Sequence, residues 1–288
     1  MTGGTGRLDR KMAVQGAIGR WRRLEEALPV PGSDPVVDVA RRSLAALDLT
    51  SLGEDDTPAR IEGLCASAVG AGGLPASVCV YPEHIATARR ALDATGASAV
   101  KVATVVNFPD GGDDAGRASR ETRRAVAAGA DEVDIVLPWR ALAAGNAAAA
   151  TQVVIACREA SPGRVLKVIL ETGGLADPAL VRAASDLALD GGADFIKTST
   201  GKLPVGATPA AVRVMLEAIH ERGGCAGLKV SGGVRTLADA ATYLQLADAA
   251  MGAGWATPAH FRIGASGLLG EIRAVLGGAR GTSTGSGY

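Results

Sequence analysis

A single lysine, Lys197, lies inside a short apolar run and is followed at once by a hydroxyl-rich turn ending in glycine, in the stretch GADFIKTSTGK from Gly192 to Lys202. Phe195, Ile196 and the small residues before them read as a buried strand, and a strand covered on both faces leaves an ammonium without water. A lysine kept there is either paired or held partly neutral, and a neutral lysine reacts with carbonyl carbons. Lys197 is therefore a candidate nucleophile; a core-edge lysine with a carboxylate partner fits the same spacing. Other charges sit in similar places. In EVDIVL, Val133, Ile135 and Leu137 alternate with Glu132 and Asp134; in VLKVILE, Leu166, Val168 and Leu170 alternate with Lys167 and Glu171; in GLKV, Leu228 and Val230 flank Lys229. Asp48 in ALDLT and Lys101 in AVKVATVV extend the set.

Positioning these groups together requires a particular set of elements. From Ala45 onward a short β-rich run, a polar or glycine turn and an alanine-rich helical stretch recur, with strands expected near Leu47, Cys79, Val102, Asp134, Ile169, Ile196, Lys229 and Arg262. Strands alternating with helices predict an α/β protein with a parallel sheet, and residues 45–276 approach the ~250 residues typical of a closed eightfold (β/α)8 barrel, the TIM barrel. An open doubly wound sheet is the alternative, weakened because ALDLTSLGEDD carries no glycine-rich dinucleotide fingerprint. In a barrel the apolar face of each strand meets the helices, so Asp48, Lys101, Glu132, Asp134, Lys167, Glu171 and Lys229 are expected to point inward. Interior charges of both signs are tolerable if they pair around a wet, functional mouth, and purely structural ion pairing is the competing reading. Glycines follow the last three strands in succession: Gly201 with Lys202, Gly232 and Gly233 with Arg235, and Gly264 with Ser266 and Gly267. Such turns offer backbone N–H groups, two cations and a hydroxyl to a phosphate, though tight strand-to-helix turns would also use glycine.

The remainder of the chain bounds the function. Residues 1–44 hold Leu8, Met12, Ile18, Trp21, Leu24 and Leu28 at roughly helical spacing, followed by the breaker PVPGSDP, so an amphipathic helix packed on the main domain and a linker are expected. Asp9, Glu25 and Glu26 argue against a transit peptide. The 288 residues are 47% hydrophobic with a formal net charge of +0, which points to neither nucleic acid nor an anionic membrane as partner. No apolar run approaches the roughly 18 residues of a membrane span, and no secretory signal is evident, so a cytoplasmic location is the default expectation. Cys65, Cys79, Cys157 and Cys225 lack CxxC spacing and read as reduced thiols; His84, His220 and His260 lack metal-binding spacing, so no metal is expected. The alanine-rich helices and the extra N-terminal helix are candidate surfaces for a homodimer.

Taken in order, LDLT at Leu47, VATVVNFPDG, GADEVDIVLPWRALAAGN, LKVILETGGL, GADFIKTSTGK, GLKVSGGVRTLADA and GASGLL at Leu269 resemble deoxyribose-phosphate aldolase, a metal-independent class I aldolase family. The resemblance implies an eightfold barrel, no cofactor, and sugar-phosphate and aldehyde partners. Its reaction would be the reversible cleavage of 2-deoxyribose 5-phosphate to acetaldehyde and glyceraldehyde 3-phosphate. It also implies Schiff-base formation on Lys197, a neighbouring lysine at Lys229 and proton movement by Asp134. Imine formation needs a neutral amine, and a lysine at the reference pKa of about 10.4 is neutral in well under ~0.1% of molecules at pH 7. Burial and a second ammonium at Lys229 would raise that fraction. Where the family often has two consecutive serines, this chain has Ser266 then Gly267, one hydroxyl fewer for a phosphate. Residues 277–288 form a Gly/Ser-rich tail ending in Tyr288. By composition the tail fits a frayed end; by resemblance, Tyr288 would relay a proton to the enamine carbon. A Schiff-base aldolase or transaldolase for another aldehyde, and a catalytically silent sugar-phosphate sensor, remain as alternatives.

Overall fold

A computed structural model describes residues 34–278. Eight strands, β1 (Leu47–Thr50), β2 (Ser77–Val80), β3 (Lys101–Val106), β4 (Glu132–Val136), β5 (Val165–Ile169), β6 (Phe195–Lys197), β7 (Gly227–Ser231) and β8 (Phe261–Ala265), pair in parallel in sequence order. β8 pairs with β1 and closes the barrel, the expected (β/α)8 architecture. The helices are α1 (Pro35–Ala45), α2 (Pro58–Ser67), α3 (Ile85–Ala94), α4 (Ala115–Ala127), α5 (Trp139–Ala143) and α6 (Ala147–Ala160). They continue as α7 (Thr172–Leu175), α8 (Pro178–Asp190), α9 (Pro209–Glu221), α10 (Leu237–Met251) and α11 (Leu268–Gly278).

Local sequence explains where many helices begin. Asp34, Thr57, Asp177 and Thr208 each accept a first-turn backbone N–H and are each followed by a proline, whose missing N–H costs nothing at the first helical position. Thr236 and Asp239 form a reciprocal capping box at the start of α10. The alternation predicted for the strands is realised. Val133, Ile135, Leu137, Leu166, Val168, Leu170, Leu228 and Val230 join the core between sheet and helices. The opposite faces of these strands enter the barrel.

The interior has two halves. β2 and β3 present Cys79, Ala103 and Val105, bordered by Leu52, Tyr81 and Phe108, as an apolar wall. The remaining strands present charges. At the floor, the Arg262 guanidinium lies 5.5 Å from the centroid of Phe195. Gly227 makes room for that ring, since a Cβ there would come within 2.3 Å of it.

Three expectations are amended. Residues 35–44, read from sequence as linker, lie in helix α1; Asp34 caps it, and Arg42 ties it to Asp248 of α10 with contacts of 2.7 and 2.8 Å. Lys101 is exposed rather than interior, because it is the first residue of β3 and projects from the strand's entry end. Helix α11 runs to Gly278, past the expected boundary at 276. The amphipathic segment from Leu8 to Leu28 and the terminal Tyr288 lie outside the described residues.

Candidate active site

The site is organised around Asp134 on β4, whose side chain is fully buried at the barrel axis. Its Oδ1 accepts from Lys167 Nζ of β5 at 2.8 Å, while its Oδ2 accepts from both Lys197 Nζ of β6 at 2.9 Å and Lys229 Nζ of β7 at 2.7 Å. Lys197 and Lys229 are register partners on adjacent strands, so parallel pairing and shared parity aim both ammonium groups at one oxygen. Lys197 is the last residue of β6, on the side where β-strands hand over to helices, and is 3% exposed.

Beneath Asp134 the charges continue. Asp48 Oδ2 on β1 lies 2.6 Å from Lys229 Nζ and 3.5 Å from Lys167 Nζ, and Asp48 Oδ1 accepts from Arg262 Nη1 of β8 at 2.6 Å. Glu132 on β4 lies 2.6 Å from Lys167 and accepts from Arg262 at 2.8 and 3.1 Å. Asp48, Glu132 and Lys167 were expected to face inward; Arg262 was not singled out. Its signal was present in the sequence, since Phe261 and Ile263 pack against the helix layer and the residue between them must face in.

The electrostatics of the three lysines diverge. Burial opposes charge on all of them. For Lys229, Asp134 and Asp48 outweigh burial and hold the ammonium above the usual lysine value. Lys167 is likewise raised against burial by Asp134, Glu132 and Asp48. Lys197 goes the other way: burial dominates, Asp134 opposes it only in part, and Lys229 adds like-charge repulsion, so its pKa is lowered. Asp134, despite burial, is held far below the usual carboxylate range by Lys167, Lys197 and Lys229.

The rim is built from the turns that follow β5 to β8. Thr198 Oγ1 donates to Ser231 O and accepts from Ser231 N, both at 3.0 Å, which locks the turn after β6 to β7. Glu171, in the left-handed region at φ 57, bends its buried carboxylate onto Thr200, accepting from both N and Oγ1. Burial raises the Glu171 pKa, with the Thr200 hydrogen bonds opposing. No sequence signal marked the Glu171–Thr200 pair, because it depends on a backbone conformation rare for glutamate.

Gly201 follows at φ 80, and Lys202 Nζ reaches across the mouth to donate to Leu52 O at 2.7 Å. Gly232 and Gly233 have φ 79 and 92, and the backbone of Gly206 approaches so closely that a Cβ there would sit 2.2 Å from Gly232 O. Arg235 is exposed, its backbone N–H donating to Asp239 at 2.9 Å. Gly264 lies in β8 opposite Ser231 and Asp48, and Ser266 is exposed in the turn just beyond. Lys197, Asp134 and Lys229 are thus in direct contact, while Gly201, Lys202, Gly232, Gly233, Arg235, Gly264 and Ser266 lie on or beside three neighbouring strand ends.

Comparisons with known proteins agree with this architecture. A Toxoplasma gondii ME49 protein provisionally assigned as a deoxyribose-phosphate aldolase is 26% identical, with TM-score 0.79 over 86% of this chain and 99% of that one. A Coccidioides immitis protein assigned in the same way is 29% identical, with TM-score 0.71 over 91% and 97% of the two chains. The deoxyribose phosphate aldolase of Aeropyrum pernix, described as having a unique tetrameric structure, is 24% identical and shares the fold, with TM-score 0.63 over 87% and 99%. Residues 42–269 match the family described as DeoC/LacD family aldolase, and with that span covering most of its length, this chain belongs to the DeoC/LacD aldolases.

Proposed function

We propose that this aldolase reversibly cleaves 2-deoxyribose 5-phosphate to acetaldehyde and glyceraldehyde 3-phosphate through a Schiff base on Lys197. The observation that carries the reading is the depressed, under-paired Lys197 beside the charged Lys229 on one oxygen of Asp134. The neutral Lys197 amine adds to C1 of the open-chain sugar, and the carbinolamine loses water to give a protonated imine. Removal of the C3 hydroxyl proton then breaks the C2–C3 bond, releasing glyceraldehyde 3-phosphate and leaving the electron pair in an enamine. Protonation at C2 and hydrolysis return acetaldehyde and the free amine. Asp134, directly or through one water, moves the protons, and Lys229 keeps Asp134 ionised between steps.

The phosphate would sit over the turns after β6 to β8. Gly201, Gly232, Gly233 and Gly264 supply close backbone approach, Ser266 a hydroxyl, and Lys202 and Arg235 the charges. Lys202 would exchange the Leu52 carbonyl for the phosphate.

The test is borohydride reduction in the presence of acetaldehyde, with peptide mass mapping, alongside turnover of 2-deoxyribose 5-phosphate. A reduced adduct on Lys197, lost with turnover in Lys197→Ala, is expected. An unmodified Lys197 would remove the mechanism; an adduct without sugar-phosphate cleavage would point to a different aldehyde substrate.

A further inference from the structure

The proposed chemistry uses Lys197, Lys229 and Asp134, yet the interior charges extend to the floor. Four cations, Lys167, Lys197, Lys229 and Arg262, face three carboxylates, Asp48, Glu132 and Asp134, in one continuous buried set of ion pairs. The contacts are unequally shared. Lys167 meets all three carboxylates, while Lys229 and Arg262 meet two each. Lys197 meets one, and that oxygen is also held by Lys229. An unmatched buried cation is costly, and the cheapest relief is for the worst-served lysine to give up its proton.

We propose that Arg262 and Glu132 are positioning residues which, from the barrel floor, set the protonation of Lys197 by fixing this charge imbalance. Arg262 occupies Asp48 and Glu132, so Lys229 and Lys167 lean more heavily on Asp134 and deprive Lys197 of its counterion. β2 adds the Cys79 thiol, whose pKa burial raises, and β3 adds the uncharged Ala103 and Val105. Glu171 spends its carboxylate on Thr200 and makes no ion pair among the described residues; burial raises its pKa against the Thr200 hydrogen bonds and the weaker pull of Lys197 and Arg140, so it offers Lys197 only a distant, minor counter-charge. The Arg262 guanidinium itself is held charged, with Asp48 and Glu132 outweighing burial.

This inference rests on Lys197 being the imine-forming lysine, and its test reads the pH midpoint of borohydride-trapped acetaldehyde adduct on Lys197. Arg262→Gln leaves cations and carboxylates in balance, frees Asp134 for Lys197, and should move the midpoint up by about one pH unit. Glu132→Gln makes Lys167 lean on Asp134 and should move it down by a similar amount. The double variant Glu132→Gln/Arg262→Gln restores the original imbalance and should return the midpoint to the wild-type value, and Arg262→Lys should leave it in place. A purely structural role predicts neither opposite signs nor recovery in the double variant. Should Arg262→Gln fail to fold, as judged by circular dichroism, the Glu132→Gln and Arg262→Lys measurements decide, and an unmoved or raised midpoint in Glu132→Gln overturns the proposal. Absence of any adduct in the wild type refutes the Schiff-base reading and the inference with it. A wild-type adduct whose midpoint stays constant in all variants overturns the inference alone.

Discussion

Lys197 is buried, touches one carboxylate and has to share it. That lowers its pKa, and it also makes it a burden on the fold. Its folded pKa lies below its unfolded value, so below about pH 10 the unfolded chain binds the proton more readily and folding is opposed, by about 1.4 kcal/mol for each unit of depression. Replacing it with methionine removes that cost and leaves Asp134 with Lys167 and Lys229 as partners. Lys197→Met is therefore expected to melt at a higher temperature than the wild type at pH 7 while losing all turnover; a lower melting temperature would contradict the under-pairing argument. Lys229→Leu should have the opposite electrostatic effect, freeing Asp134 for Lys197 and raising the pH needed for imine formation, which the trapping assay measures directly. Asp134→Asn should slow proton transfer while leaving phosphate affinity nearly unchanged, and an equal loss of both would mark Asp134 as structural.

Among the elements, the turns after β6 and β7 hold one another in place. Ala207 N donates to Ser231 O at 3.1 Å and Gly232 O at 3.0 Å, so the segments after β6 and β7 are in backbone contact. A methyl group on Gly206 would meet Gly232 O at 2.2 Å, and only backbone displacement relieves such an overlap. Gly206→Ala is expected to cost about 1 to 3 kcal/mol of stability and to weaken phosphate binding by prising the turns apart; denaturant titration and KM for the sugar phosphate check the two effects separately. Arg235 tests the other side of the same site. Charge-assisted hydrogen bonds contribute about 1.5 to 3 kcal/mol, so Arg235→Ala should penalise 2-deoxyribose 5-phosphate far more than 2-deoxyribose. Equal penalties on the two substrates would place the phosphate elsewhere.

For the molecule as a whole, the buried ion pairs couple stability to pH. Asp48 and Asp134 are both held far below the usual carboxylate range; burial alone would raise them, and the surrounding lysines, with Arg262 for Asp48, more than reverse it. A carboxylate with a depressed folded pKa contributes stability that is fully present above its unfolded value of about 3.9 and is lost as the pH falls towards the folded value. The urea midpoint should therefore change little on account of these groups between pH 5 and 8, then fall progressively below about pH 4. A midpoint that is unchanged at pH 2 would mean that the folded protein does not hold these carboxylates below their ordinary range.

The positions of all eight strands and the inward placement of Asp48, Glu132, Asp134, Lys167 and Lys229 were legible in the sequence. Side-chain parity along a strand is a local property: once Val133, Ile135 and Leu137 face the helices, Glu132 and Asp134 cannot. The start of α1 was also written locally, in Asp34 followed by Pro35, but these two residues close the breaker PVPGSDP, which obscured it. Depth along the barrel was not local. Lys101 has the parity of Ala103 and Val105, yet one position at the strand's entry end separates interior from solvent, and the stagger between neighbouring strands sets that level. The same stagger decides which carboxylate each cation meets. Sequence alternation places the charges inside; pairing of β6 with β7 sets Lys229 beside Lys197, closure of β8 onto β1 brings Arg262 to Asp48 and Glu132, and together they leave Lys197 with a share of one oxygen.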